Sequence, residues 1–305
     1  MKIIVFGSIN MDLTTYVPKL PLPGETLLGS SYITVPGGKG NNQAVASARL
    51  GAQVQFVGRV GDDIFGKQVL EIVAAEHVDV SQVAVDKEKG TGLAVISVDQ
   101  NAENCITVIS GANWALNESD VARAEKCLDG AKVLLIQLEV PMEASLKIAE
   151  IARQKGVKVI FDPAPAVSLP VQAYKVFDFI TPNEIETNIL VGIQPQNEQE
   201  AAEAASILHQ RGVENVIIKM GAKGVYYDTA DSKGFIKPYQ VKSIDSVAAG
   251  DAFNAGLAVA ISEGKPIAEA VRWGAAAGAI ATTRKGALPA MPHREELLKL
   301  MSEQQ

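Results

Sequence analysis

Cysteine is scarce in this 305-residue chain, and its two copies, Cys105 and Cys127, stand far apart with no paired spacing. That argues against a disulfide framework or a cysteine-built zinc site. The three histidines, His77, His209 and His293, likewise follow no ligand spacing. Long apolar runs are missing too. The Ala-rich stretch 274–282 is shorter than the roughly 18 residues of a membrane span and only weakly hydrophobic. Positive charge is not in excess, and the net charge of −7 argues against a nucleic-acid partner. A phosphorylated ligand stays possible, since it needs local donors and not a basic protein. Met1–Gly7 reads directly as a strand, so no signal peptide is expected and a cytoplasmic location is.

What is present is ordinary globular composition, 47% hydrophobic and 21% charged, in a chain long enough for one large α/β domain. Residues 2–10 read as a buried strand and 32–35 as a short one. A small-residue helix follows at 44–50, then strand 54–60 and helix 64–75. The runs 93–98 and 105–109 flank Asp99–Asn104 as a hairpin. Beyond it strand and helix alternate: strand 132–138, helix 142–155, strands 157–161 and 177–181, helix 198–211 and strand 215–219. Strand-like runs at 224–227 and 234–241 lead to a helix beginning near Gly250. The expected fold is therefore α/β, a mostly parallel central sheet with helices on both faces, plus a small β-sheet lid. The main domain comprises 1–12, 36–90 and 113–305; the lid comprises 13–35 and 91–112. Ligands bind at the carboxyl ends of such strands, where Asn10, Glu139, Asp162 and Asn183 are expected.

The stretch Ser243–Gly256 carries the sharpest chemistry. Ala248-Ala249-Gly250 offers bare amides at a helix start, a ready anion site. Asp251 follows in the first turn. It could simply complement the helix dipole, or it could take a proton from an attacking hydroxyl beside the amides, an arrangement suited to phosphoryl transfer. Gly37-Gly38-Lys39-Gly40-Asn41-Asn42 is either a tight turn or a cradle for a polyhydroxylated ligand. It fails as a dinucleotide fingerprint, because Gln43 stands at the third glycine position and Pro36 precedes the run. Glu139, with Asn10 and Asp12, would supply acceptors for sugar hydroxyls. Asn183 and Glu186 read either as a helix cap or as holders of Mg2+-bound phosphate through water. Met220–Gly224 is a two-glycine turn able to approach a nucleotide. The loop from Arg284 to Pro289, with Asp245, could line a cation with oxygens.

Gly37–Ala44 and Asp245–Phe253 together resemble the two signatures of the ribokinase-type carbohydrate kinases, and Asn183–Glu186 resembles that family's Asn-x-x-Glu motif. The likeness runs through the whole chain in order. Gly7-Ser8-Ile9-Asn10, Asp12, Gln137-Leu138-Glu139, Asp162–Ala166 and Thr283–Ala287 are more similar to the ribose branch than to the fructose or adenosine branches. The resemblance implies transfer of the γ-phosphoryl group of ATP to the 5-hydroxyl of D-ribose, with Mg2+ and K+ as cofactors. It assigns the base to Asp251 and the anion hole to Ala248, Ala249 and Gly250. Sugar contacts fall on Asn10, Asp12, Gly38, Lys39, Asn42 and Glu139. Nucleotide contacts fall on Asn183, Glu186, Lys219, Gly221, Gly224, Gly250 and Ala275. The monovalent cation falls to Asp245, Val247, Ala281, Arg284, Gly286 and Ala290, mostly through backbone oxygens. It also implies a homodimer formed through the lid. Three positions depart from the family: Lys219 stands where threonine is common, Ala275 where histidine or asparagine is, and Ala290 where serine is. A related kinase of deoxyribose, fructose or adenosine, and a non-catalytic sugar-binding regulator, are the alternatives.

Overall fold

The structure, a computed structural model, describes residues 1–101 and 103–304. The chain opens with strands β1 (Lys2–Phe6), β2 (Asn10–Tyr16) and β3 (Ser31–Gly37), then helix α1 (Lys39–Arg49). Next come β4 (Gln53–Gly61), α2 (Ile64–Ala75), β5 (Val78–Asp86), β6 (Gly92–Val98) and β7 (Asn104–Ile109). After α3 (Glu118–Cys127) follow β8 (Ala131–Ile136), α4 (Met142–Gln154), β9 (Lys158–Phe161) and β10 (Phe179–Ile180). The chain then forms α5 (Glu184–Val191), α6 (Glu198–Gln210), β11 (Asn215–Lys219), β12 (Val225–Asp228) and β13 (Lys233–Ile236). Helices α7 (Ala249–Ser262), α8 (Ile267–Ala281) and α9 (Arg294–Glu303) complete it.

Among the described residues the strands form a nine-stranded sheet, ordered β13-β12-β11-β10-β9-β8-β1-β4-β5, and a four-stranded one, ordered β3-β2-β6-β7. The large sheet is parallel from β11 to β5, with β12 and β13 added antiparallel at one edge. Its central strands are near-continuous apolar runs because both faces are covered. Successive residues sort accordingly: Ile3, Val5, Val133 and Leu135 join the core under α1, α7 and α8. Ile4, Phe6, Leu134 and Ile136 join the core under α3, α4 and α6. No helix among the described residues is long and apolar enough to cross a membrane.

Several expected boundaries move, each for a tertiary reason. The first strand stops at Phe6, not residue 10, because Ser8 leaves the ladder to bond Glu139 and the start of α1. Asn10 and Asp12 therefore lie on the small sheet, whose strands β2 and β3 reach past residues 13–35 to Asn10 and Gly37. Helix α1 starts at Lys39 and not Ala44, seated on Gly38 at φ 90°. The last strand ends at Ile236 and not Val241, since Pro238 cannot donate to a ladder. The hairpin 93–109 is present, although Ala102, in its turn, lies outside the described residues. Strand β5 and helices α3 and α9 were not expected, nor was the full length of α8.

Helices α7 and α8 approach closely enough that backbones touch. A Cβ on Gly256 would lie 2.7 Å from the Trp273 carbonyl oxygen and 3.0 Å from Ala277 Cβ. A backbone oxygen cannot yield as a side chain can. Gly256→Ala should therefore cost about 1–3 kcal/mol despite alanine's better helix propensity. The expected readout is a lower urea midpoint at unchanged slope.

Candidate active site

Helix α1 begins against the ends of β1 and β8. Its first amides are capped from elsewhere in the chain: Lys39 N–H donates to Glu139 Oε2 (2.9 Å) and Gly40 N–H to Ser8 Oγ (3.2 Å). Ser8 Oγ in turn donates to the same Glu139 oxygen at 2.6 Å. A Cβ on Gly40 would stand 2.6 Å from Ser8 N, so this seat requires glycine. The glycine run is thus a helix start fitted to the sheet rim, with Gly38 and Lys39 half-buried at its mouth. Glu139 spends one oxygen as a cap. Its Oε1 accepts no hydrogen bond among the described residues.

Across from this seat stands the head of α7. Ala248, at φ 58°, turns the chain into the helix. Ala249 N–H faces Ser246 O at 3.3 Å, but among the described residues neither Gly250 N–H nor Asp251 N–H has an acceptor. Of the three amides expected to form the anion hole, those of Ala248 and Gly250 are thus without an acceptor among the described residues, as is that of Asp251, while that of Ala249 is paired. Asp251 is 3% exposed. It accepts from Asn42 Nδ2 (3.0 Å) and Gln43 Nε2 (3.1 Å), both on α1. Burial pushes its carboxyl up to about 6; nearby Lys39 opposes the rise, while Asp162 adds to it. Burial works against the Lys39 charge, but Asp251, Asp162, Glu139 and Glu186 outweigh it and hold the ammonium protonated. Asp251, Lys39 and Glu139 hence share one rim.

The small sheet brings the remaining polar groups. Asn10 and Asp12 sit on β2 opposite Gly37 and Val35 of β3. A Cβ on Gly37 would stand 2.2 Å from Asp12 Oδ2, so the glycine makes room for the carboxylate. Burial, and then the charge of Glu139, raise Asp12 to about 7. Asn10 is oriented by Asn113, whose amide donates to Asn10 Oδ1 (2.7 Å) and Ile9 O (3.0 Å) and accepts from Ile9 N–H (2.8 Å).

On the other side of α7, Asn183 and Glu186 form the reciprocal cap of α5, with Glu186 accepting from Asn183 N–H (2.7 Å) and Nδ2 (3.0 Å). Asn183 also bridges to Lys219, and Glu186 lies in the field of Lys219, Asp162 and Lys39. Burial raises the Glu186 carboxyl and Lys219 opposes this. Both of its oxygens serve the cap, a donor set that fits contact with Mg2+ through water more than direct ligation. Gly221 faces open space, so the turn can receive a nucleotide there. Gly224 is different: a Cβ would meet Ile236 O at 2.4 Å, so packing of β12 on β13 explains that glycine. Ala275 is half-buried in α8, three residues before Gly278, whose Cβ position lies 3.1 Å from Ala249 O.

The expected cation loop is partly assembled. Asp245 accepts from Val247 N–H (3.0 Å) and Gly286 N–H (2.8 Å), and Thr282 O takes the amides of Ile244 and Asp245. Ala281 ends α8 beside this knot, and Ala290 is buried in a short turn. The Arg284 side chain turns away to Glu296 of α9, leaving only its backbone for a cation. A carboxylate beside backbone oxygens is the chemistry a hard monovalent ion takes, although both Asp245 oxygens and Thr282 O accept amides here. No group of three or more His, Cys, Asp or Glu that could hold a metal occurs among the described residues.

Sequence reasoning missed Ser8, Gln43, Asn113 and Gln137 as site residues and left Asp162 without a role. Gln43 Nε2 reaches both Asp251 and Asp162 (3.0 Å), and Gln137 fixes Gln43 through a 2.7 Å bond. Together these residues place a buried carboxylate, free amides and hydroxyl acceptors on one rim, which suits transfer of an anionic group to an alcohol.

Residues 1–294 match the pattern described as pfkB family carbohydrate kinase. A ribokinase of Haemophilus influenzae is 43% identical over 297 residues, covering 97% of each chain. A deoxyribokinase of Salmonella typhi is 33% identical over 303 residues, covering 99% of each. The structure of Arabidopsis thaliana ribokinase complexed with ribose and ATP superimposes with a TM-score of 0.89 at 32% identity, covering 98% of each chain.

Proposed function

Because the chain belongs to the pfkB family of carbohydrate kinases, we propose that it transfers the γ-phosphoryl group of ATP to the 5-hydroxyl of D-ribose, giving D-ribose 5-phosphate and ADP. One observation carries this reading: the buried Asp251 carboxylate stands at the head of α7, beside amides that have no acceptor among the described residues and against the α1 residues that edge the sugar cradle. The hydroxyl oxygen bonds to the γ-phosphorus as the bridging bond to the β-phosphate breaks. Its proton passes to Asp251, and the bond electrons leave with ADP. The amides of Gly250 and Asp251 face the charge on the phosphoryl oxygens. Lys39, Asn42, Asn10, Asp12 and the free oxygen of Glu139 hold the sugar hydroxyls.

Asn183 and Glu186 would hold Mg2+ through its waters, and the ion when bound supplies neutralising charge to the phosphates. The loops at Asp245 and Gly286 would hold K+. Gly221 and Ala275 would flank the adenine side. The small sheet acts as the lid, and its edge strand β7, with Ile106 and Val108 exposed on one side and Ile109 on the other, supports a homodimer formed through it. Use of ATP and a free sugar favours a cytoplasmic location.

A coupled ADP assay across ribose, deoxyribose, fructose and adenosine, with and without K+, tests the reading. The highest kcat/KM is expected for ribose, with K+ activating. A site that hydrogen-bonds a hydroxyl rejects the analogue lacking it, so equal use of deoxyribose would favour the second reading raised by the deoxyribokinase relative. ADP formation that ignores every sugar would end both.

A further inference from the structure

Lys219 ends β11 and sends its ammonium to the start of α7. Its Nζ lies 3.0 Å from Asp162 Oδ1 and 3.4 Å from the position a Cβ on Gly250 would take. The cation thus flanks the same turn whose amides are free. Both side chains are shielded, at 12% and 2% exposure. Asp162 is its only hydrogen-bond acceptor among the described residues, so two of its three N–H groups are left to give.

A shielded ion pair contributes little net stability compared with apolar residues of similar size. Its place at this point calls for a use of the charge. That charge is also held at fixed spacing from the base. Lys219 bonds Asp162, Asp162 accepts from Gln43, and Gln43 donates to Asp251. A phosphoryl group moving between the amides of α7 and Asp251 must pass alongside the ammonium.

We propose that Lys219 is a catalytic cation whose ammonium contacts the γ-phosphoryl oxygens during transfer, with Asp162 as the residue that positions it. No bond forms to Lys219. This rests on the kinase reading above, and the test separates the two.

Lys219→Thr combined with Asp162→Asn removes both charges together, so that neither stays buried alone. With the fold checked by thermal melting, kcat of the double variant should fall about 10²-fold, the scale of one preorganised electrostatic donor. Calorimetry with AMP-PNP and with ADP reads the contact without any sugar. AMP-PNP affinity should weaken about tenfold and ADP affinity by less than about threefold, since the lost contact is to the γ-phosphate. Asp162→Asn alone should lower kcat without weakening AMP-PNP, because the cation persists but is untethered. Lys219→Arg should retain more activity than Lys219→Thr. An unchanged kcat in the double variant, or equal losses for the two nucleotides, overturns the proposal. A parent enzyme that discriminates AMP-PNP from ADP through Lys219 but turns over no sugar would sink the kinase reading and leave the contact standing.

Discussion

Replacing Asp251 with asparagine is expected to cut kcat by about 10²–10⁴-fold while ribose still binds, the usual scale for loss of a general base. The two effects separate because the sugar cradle is built mainly on α1 and β2, not on the carboxylate. Asparagine also fits the local bonding badly. Asp251 accepts one bond at each oxygen, from Asn42 and from Gln43. An amide offers only one acceptor, so one of these donors would face another N–H group. The acid side of the pH profile supplies an independent readout. Burial holds Asp251 at about 6. Below that pH the base carries its proton and cannot take another, so kcat of the parent at saturating ribose should fall on the acid side, approaching tenfold per unit below about pH 5. The residual activity of the asparagine variant should lack that limb. A coupled assay with ribose calorimetry checks both. Turnover within about tenfold of the parent would remove Asp251 from the role of base.

The parts of this site that can be read in the sequence are those whose chemistry is local. Ala248-Ala249-Gly250-Asp251 declares a helix start because small residues with bare amides and a carboxylate are adjacent in the chain. The two-faced strands declare a covered parallel sheet because apolar runs such as Ile3–Phe6 leave no polar side. What could not be read depends on distant partners. Gln43 and Gln137 have the look of ordinary polar residues until Gln43 is seen joining Asp162 to Asp251. Asn113 reads as a loop residue, yet it holds Asn10 from far along the chain. The merging of β1 with β2 has the same origin. The contacts of Ser8 with Glu139, Gly40 and Asn41, and of Ile9 with Asn113, separate them, and Asn10 and Asp12 fall on the small sheet. On the nucleotide side, two glycines of one turn look equivalent in sequence but are not. Gly221 is open, whereas Gly224 is required by the Ile236 carbonyl. Helix α8 lacked a signal because its long alanine run shows no contrast between faces, and packing on α7, α9 and the β12–β13 edge fixes it.

Asp12→Asn should make the protein more stable and a far poorer kinase. Burial and the charge of Glu139 raise the Asp12 carboxyl from 3.8 to about 7. Below pH 4 the carboxyl is protonated both folded and unfolded, and it contributes no difference. Between pH 4 and 7 the folded state keeps a proton that the unfolded chain releases, so stability falls as pH rises. Above pH 7 the whole cost of a shielded, repelled carboxylate is present. Asparagine carries no charge at any pH, so the variant should exceed the parent by on the order of 1–3 kcal/mol above pH 7, with the gain vanishing toward pH 4. Urea denaturation at pH 4.5 and 8 measures this difference. Function moves the other way. Ribose hydroxyls donating to Asp12 favour its charged form, so the parent should take up ribose more tightly as pH rises through 7 and release a proton on binding below it. Hydrogen bonds to a charged acceptor contribute about 1.5–3 kcal/mol each, so kcat/KM for ribose should drop about 10²–10³-fold in the variant. Its affinity should also lose the pH dependence. The carboxylate that Gly37 makes room for thus costs the fold stability above pH 7, a cost that the proposed contacts to ribose hydroxyls would offset. A variant that gains no stability at pH 8, or binds ribose as the parent does, would remove Asp12 from the sugar site.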